Sequence, residues 1–359
     1  MSTIAVNAIT DANGGSTTSI NGTTPNAYNL IGKNKIINGA MQIAQRGTSS
    51  TSTGYATVDR FSSYANNTDE LAFSLEQSTD APDGFSNSFK WTTTTAETTI
   101  DSNEHVGFQQ KLEGQSLQQL AHGTTSAKKV TLSFWVKSSV TGTFAVTLFK
   151  NNSLKIIGST YTINTANTWE KKTITFDGDT SGSIPNDNSR ELDIIWHLLA
   201  GSDFTSTDNT SWVTYTTGTW AYGHAQNGVI ATTNATWQIT GVQLEVGESA
   251  TEFEHRPYTT EFQLCQRYYQ KLLSGVGPYF WAYPLDNSTA THYRAYTVVF
   301  PTLMRAAPSG TTTAASNGSL ASGSPFVQQT DTQHALIRAD TTSTSAYAYI
   351  TNCILDAEL

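Results

Sequence analysis

Several stretches of this chain put a large apolar residue at every second position. That period belongs to a strand with one buried face and not to a helix. In VTLSFWVK (130–137), Val130, Leu132, Phe134 and Val136 alternate with Thr131, Ser133, Trp135 and Lys137. GTFAVTLFK (142–150) repeats the pattern with Phe144, Val146 and Leu148, and residues 138–141 between the two runs have the length of a hairpin loop. KKTITFDGD (171–179) puts Ile174 and Phe176 on one face and closes on an Asp-Gly turn. LDIIWHLL (192–199) is more continuously apolar, as a strand covered on both faces would be. TWQITGVQLEV (236–246) changes phase, from Trp237 and Ile239 to Val242, Leu244 and Val246. The slip falls at Gly241, where a β-bulge belongs. Strands of this kind predict an all-β protein, an antiparallel β-sandwich of the jelly-roll type over residues 35–258. Phe134, Val136, Phe144, Val146, Ile174, Phe176, Ile194, Trp237, Ile239 and Leu244 are its expected interior.

Composition narrows the partners. Charged residues make up 14% of the 359, against about 25% in an average soluble protein; 58 Thr and 36 Ser take their place. Hydrophobic residues at 37% and aromatics at 11% separate the chain from disordered sequences. Lys+Arg 20 against Asp+Glu 29 gives a net charge of −9. With that sign and no basic run, no nucleic-acid partner and no attraction to anionic lipid is expected. No apolar run approaches the roughly 18 to 20 residues of a membrane span, so membrane insertion is not expected either. MSTIAVNAITDANGG at the start lacks the charged and apolar regions of a secretory signal.

Residues 1–34 hold few large apolar side chains, with Ile4, Val6 and Ile9 loosely alternating before closely spaced Gly, Asn and Pro. They read as an extended arm that orders on a partner. TEFQLCQRYYQKLLS (260–274) spaces Phe262, Cys265, Tyr269 and Leu272 at 3, 4 and 3, which predicts a short linking helix over 259–274. Residues 275–359 return to short strands, interrupted by a Gly/Ser/Thr/Ala loop at 309–325, and form a smaller C-terminal β domain.

Motifs for catalysis are scarce. There is no P-loop, no G-x-S-x-G, no H-E-x-x-H and no clustered Cys/His spacing. No catalytic residue, metal site or cofactor is assigned. Asp177-Gly178-Asp179 with Asp187 reads as a turn, because it lacks the closing carboxylate of a calcium loop. His255, between Glu254 and Arg256, reads as part of a surface ion-pair cluster. Cys265 and Cys353 sit in apolar surroundings and read as small buried hydrophobes. The informative feature is aromatic density in apparent loops. SWVTYTTGTWAYGH (211–224) carries Trp212, Tyr215, Trp220 and Tyr222; PYFWAYP (278–284) carries Trp281 and Tyr283, with Tyr293 following. Rings of this kind can stack on the C–H faces of sugars, so these seven are candidate glycan-binding residues. Equally, such rings can close the end of a sandwich or pack against another chain.

NKIINGAMQIAQRGTS (34–49), YATVDRF (55–61), VTLSFWVKSSVTGTF (130–144), WEKKTITFDGDTSG (169–182), ITGVQLEVGESATEFEHRPY (239–258) and LCQRYY (264–269) together resemble tail fibre and tail-appendage proteins of tailed bacteriophages, notably of cyanobacteria and marine bacteria. The resemblance covers about residues 1–270. It implies a non-enzymatic virion structural protein with a jelly-roll domain similar to carbohydrate-binding modules. Such a protein is assembled in the host cytoplasm and carried in the virion tail. The arm, with Ile4, Val6 and Ile9, would attach to other tail proteins, and the distal end would meet host surface glycans. A tailspike-like enzyme cutting surface polysaccharide and a head fibre or adaptor are the alternatives. The glycines of Asn38-Gly39 and Arg46-Gly47 are expected in φ > 0 turns, and Arg60 is expected to make a charge-assisted contact under the sandwich edge.

An arm without a core of its own, together with aromatic strand faces that need cover, predicts a homotrimer, as the resemblance also implies. Light scattering on the purified chain is expected to return the trimer mass; a stable monomer at micromolar concentration refutes it.

Overall fold

A computed structural model describes residues 32–225, 228–274, 280–282, 292–316, 324, 326–341 and 348–359. The chain makes two compact units. The first takes the described part of Met1–Gln42 with Thr48–Ala56 and Phe61–His255; the second takes Ile43–Gly47, Thr57–Arg60 and the described part of Arg256–Leu359. Residues 43–47 and 57–60, inside the span read as sandwich, thus go with the second unit. Ile4, Val6 and Ile9 lie outside the described residues.

The first unit is an antiparallel β-sandwich of two six-stranded sheets. In chain order its strands are β1 (Ser49–Ser50), β2 (Phe61–Asn66), β3 (Ala72–Ser78), β4 (Ser88–Thr95), β5 (His105–Glu113), β6 (Val130–Ser138), β7 (Gly142–Lys150), β8 (Lys155–Ile163), β9 (Glu170–Phe176), β10 (Arg190–Ala200), β11 (Val213–Thr214) and β12 (Thr236–Val246). One sheet runs β1-β3-β4-β12-β6-β9 and the other β11-β8-β7-β10-β5-β2. Between them lies a core of rings. Phe108 stacks on Phe61 at 5.0 Å and on Phe89 at 4.0 Å and meets Trp237 edge-on at 5.9 Å; Trp196 meets Phe134 edge-on at 5.7 Å. Of the expected interior, Phe134, Val136, Phe144, Val146, Phe176, Ile194, Trp237, Ile239 and Leu244 are buried, and Ile174 is half-buried.

Local chemistry explains the details, including where the sequence misled. Val130–Ser138 and Gly142–Lys150 are not a hairpin: β6 pairs with β12 and β9, β7 with β10 and β8. Residues 139–141 carry the chain from one sheet to the other, because both strands have an apolar face to bury and a sandwich offers two. No tight turn forms at Asp177-Gly178. The turn follows, where the Asp179 carboxylate accepts from Ser181 N at 2.9 Å and Gly182 N at 3.1 Å and pairs with Lys150 at 2.8 Å. The bulge at Gly241 is present: its φ is +61°, and the β6 register shifts between Thr240 and Gln243. In Asn38-Gly39 it is Asn38 that takes the left-handed backbone, φ +60°. Gly39 is needed for space, since a Cβ there would lie 2.1 Å from the Val242 carbonyl oxygen. Asn34, assigned to the arm, is buried in the sandwich; its Oδ1 accepts from Ile36 N and Leu244 N.

The second unit contains helix α1 (Tyr258–Gln266) and the strands β13 (Tyr269–Ser274), β14 (Phe280–Ala282), β15 (His292–Val299), β16 (Ser309–Ser316), β17 (Phe326–Thr330), β18 (His334–Thr341) and β19 (Ala348–Asp356). The helix is shorter than expected. From Tyr269 the chain pairs with β19 instead, and those backbone bonds outweigh the weak propensity of a nine-residue helix. Residues 309–316, read as loop, pair with β19 along their length; small polar side chains carry no alternation to announce a strand. Phe300, Met304, Ile337, Cys353 and Leu355 form the core. Cys265 is buried too, and both cysteines are free. Arg60 is structural, but within this unit: it is fully buried, pairs with Glu358, and places its guanidinium 3.3 Å from the Tyr268 ring centroid.

Phe134→Ala is expected to destabilise the sandwich by about 3 to 5 kcal/mol, since the ring is wholly buried and its void cannot refill. Urea unfolding followed by tryptophan fluorescence measures it; a loss below 1 kcal/mol would contradict the packing.

Candidate glycan-binding groove

In β6 the inward residues Leu132, Phe134 and Val136 force Ser133, Trp135 and Lys137 onto the outer face of their sheet. An exposed-side tryptophan on a strand is costly unless something covers or uses it. Trp135 lies opposite Thr240 of β12 on one side and Lys171 of β9 on the other. Next to Thr240 comes the Gly241 bulge. With no Cβ there, rings can come close: a methyl would lie 2.7 Å from Phe85 Cζ and 3.0 Å from Trp135 Cδ1. Phe85 comes from the β3–β4 loop, Phe253 and His255 from the segment after β12. The three rings contact one another, with centroids 5.0 Å apart for Phe85–Phe253, 5.3 Å for Phe85–His255 and 4.8 Å for Phe253–His255. His255 therefore sits among aromatics and not in the ion-pair cluster expected for it.

These side chains line a cavity of about 270 Å³, completed by Asp83, Gly84, Glu252 and Lys171. Its size is just under the roughly 300 to 1,000 Å³ of common ligand pockets. Aromatic faces form the wall; two carboxylates and an ammonium stand at the edge. Beyond Lys137 the same face continues polar. Asp80 accepts from Lys137 Nζ at 2.7 Å, Trp169 Nε1 at 3.2 Å and Gln238 Nε2 at 3.2 Å. The three donors outweigh its partial burial and hold its carboxyl below the usual range. The Trp169 ring lies 5.8 Å from the Lys137 ammonium. Apolar ring faces beside hydrogen-bonding edges suit a ligand with C–H faces and hydroxyls.

The residues chosen from sequence fall elsewhere. Tyr215 and Trp220 cover the outer face of the other sheet, with Phe149, Ile195, Tyr64 and Val213; their rings meet edge-on at 5.5 Å. Beneath them His197 bonds Thr147 Oγ1 at 3.0 Å, and burial pushes its pKa well below the ordinary value. Trp212 stands apart. Its Nε1 donates to the Asp177 carbonyl at 2.6 Å, and its ring lies 5.4 Å from the buried Lys150 ammonium. Tyr222 is half-buried. In the second unit Trp281 pairs with Tyr349 and Tyr293 with Asp340 along the backbone, while Tyr283 lies outside the described residues. That unit has its own cavity of about 360 Å³, lined by Thr297, Gln329, Thr330, Asp331, His334 and Leu336.

Sequence reading passed over the groove because its rings come from three separate segments. One signal was visible: Trp135 is the lone aromatic on the polar side of an alternating strand. Among the described residues, the carboxylates near enough to share a metal ion, Asp69, Glu97 and Glu104, lie in other connections of this unit and follow no motif spacing.

Fold and site together define an all-β chain with a jelly-roll sandwich and an aromatic groove on one outer face. No protein-family model and no curated protein sequence matches it. Among solved structures it is similar to the enzymatically active domain of tailspike protein 4 of bacteriophage CBA120, at 14% identity and a TM-score of 0.35, over 60% of this chain and 22% of that one. It is similar also to the family 11 carbohydrate-binding module of a cellulosomal cellulase of Clostridium thermocellum, at 11% identity and 0.29, over 57% and 98%. A Stig cyclase of Fischerella sp. TAU gives 11% and 0.34, over 60% and 98%. These are distant likenesses, and what each protein binds or catalyses stays with it.

Gly241→Ala is expected to displace Phe85 and strain the backbone, costing about 1 to 3 kcal/mol. Urea unfolding reads the cost; an unchanged midpoint would mean the bulge tolerates a side chain.

Proposed function

We propose that this chain is a glycan-binding structural protein of a phage virion, a tail fibre with no catalytic role. The observation that carries the glycan reading is the groove, where Trp135, Phe85, Phe253 and His255 line a cavity edged by Asp83, Glu252 and Lys171. A sugar ring would lay a C–H face on the aromatic wall and turn its hydroxyls to the charged rim. One such contact is weak. The trimer predicted above would multiply it through effective concentration. The virion setting rests on the resemblance of the sequence motifs to tail fibres. In that setting the arm docks to other tail proteins and the groove faces the host surface. The arm is best cut at residue 31, since Gly32 N and Asn34 N already bond the Glu254 carboxylate.

Trp135→Ala is expected to lower affinity for host-surface polysaccharide at least tenfold in a glycan-array or calorimetric assay, with the thermal midpoint little changed because the ring is only half-buried. Tyr215→Ala, in the packed cluster on the other sheet, is expected to lower stability and leave affinity unaltered. Affinity that survives Trp135→Ala and falls with Tyr215→Ala moves the site to the 211–224 segment. Depolymerisation of the polysaccharide by the purified chain replaces the fibre reading with a tailspike-like enzyme.

A further inference from the structure

Three acids of the first unit meet. Asp69 stands on the connection from β2 to β3, Glu97 and Glu104 on that from β4 to β5. One carboxylate oxygen of each lies within 4.8 Å of the other two. Glu97 is fully buried and Glu104 is 1% exposed, whereas Asp69 is open to solvent.

A buried carboxylate needs compensation for the water it loses. Glu97 has it on one side only: its Oε2 accepts from Glu70 N at 3.2 Å and Leu71 N at 3.0 Å. Those bonds fix the carboxylate; its Oε1 has no donor partner, and the one side-chain hydrogen bond acting on Glu97 is with the Asp69 carboxyl. Glu104 Oε2 has none either. The charges acting on the two are of the same sign. Asp69 acts on Glu97; Glu97, Asp101 and Asp69 act on Glu104. Burial raises both carboxyls above the usual range; at Glu97 the side-chain hydrogen bond with Asp69 and then its charge add to this, and at Glu104 the charges of Glu97, Asp101 and Asp69 do. Lys150 is matched by Asp179 and Asp193 by Arg190, whereas Glu191, like Glu97 and Glu104, keeps one buried carboxylate oxygen without a donor.

We propose that Asp69, Glu97 and Glu104 form a calcium site tying the β2–β3 connection to the β4–β5 connection. Carboxylate oxygens are the ligands that Ca²⁺ takes, at about 2.3 to 2.6 Å and with loose geometry. Oxygens within 4.8 Å of one another can all reach one such ion. Mg²⁺, at about 2.0 to 2.1 Å, demands near-ideal octahedral geometry and dehydrates reluctantly, so three carboxylates from two connections suit it less well. Backbone bonds to Glu97 preset the site, and the exposed Asp69 gives the ion a way in. The inference is independent of the glycan reading.

Calcium chloride titrated calorimetrically into the chelator-treated full chain is expected to show one site per chain, and calcium is expected to raise the thermal midpoint above that of the chelated protein. Magnesium chloride is expected to bind more weakly. Asp69→Asn, a change at an exposed position that leaves the fold intact, is expected to weaken calcium binding at least tenfold. Glu104→Gln is expected to abolish it while leaving the metal-free protein at least as stable, because one repulsive charge is gone. No binding heat together with a midpoint indifferent to calcium overturns the proposal. So does a midpoint that ignores calcium but climbs as the pH falls, which would mean that the acids share protons. Equal calcium stabilisation in the wild type and in Asp69→Asn overturns it as well, by placing the ion elsewhere.

Discussion

Burying β12 on both faces is the constraint that the rest of the sandwich answers. Its inner side chains, Trp237, Ile239, Val242 and Leu244, need only the ring core. Its outer ones, Gln238, Gln243 and Glu245, are polar and equally buried, so each must find a partner or forfeit its hydration. Glu245 accepts from Thr251 N and Thr251 Oγ1; Gln243 accepts from Glu254 N; Gln238 donates to Asp80. Glu254 then takes the amides of Gly32 and Asn34, and Asn34 Nδ2 returns to the Val242 carbonyl. The segments on either side of the strand in sequence, 32–36 and 251–254, thus lie over it because its buried amides and carboxylates require them.

The same strand makes the groove. A bulge at Gly241 lets Trp237 and Ile239 on one side of it, and Val242 and Leu244 on the other, all face inward despite the odd spacing. The glycine that allows the bulge also leaves a gap on the outer face, and Phe85 and Trp135 close over it. A packing device in the core and a concave aromatic surface outside therefore share one residue.

Several buried charges in both units are paired or hydrogen-bonded. Lys150 meets Asp179, whose carboxyl is lowered to about 2 by Lys150 and the Ser181 hydrogen bonds despite its burial. In the second unit Arg60 meets Glu358, and Asp59 is held by Gln45 N at 2.9 Å, though burial still raises its carboxyl to about 6. Charges that never leave water need no such arrangement, so the low charge content of the chain lets few pairs suffice. Glu97 and Glu104, like Glu191, keep a buried carboxylate oxygen without a donor, and the calcium proposed for the triad would answer that at the first two.

Period-two alternation determined the strands that have one wet face, and composition determined the all-β class. Continuous hydrophobicity in 192–199 marked the strand buried on both sides, and the phase slip located the bulge. These were legible because burial writes a local pattern into a strand. Which sheet each strand joins was not local. The 138–141 loop has a hairpin's length yet spans the sandwich, the end of the predicted helix pairs with β19, and Ser309–Ser316 is a strand only because β19 lies beside it. Function followed the same division. An aromatic-rich segment such as 211–224 is easy to see in sequence, but Tyr215 and Trp220 turn their rings onto a sheet. The groove draws on residues 83–85, 133, 135, 171, 241, 252, 253 and 255, and the acid triad on 69, 97 and 104. Only the tertiary fold could bring those positions together, because nothing in the local sequence around any one of them depends on the others.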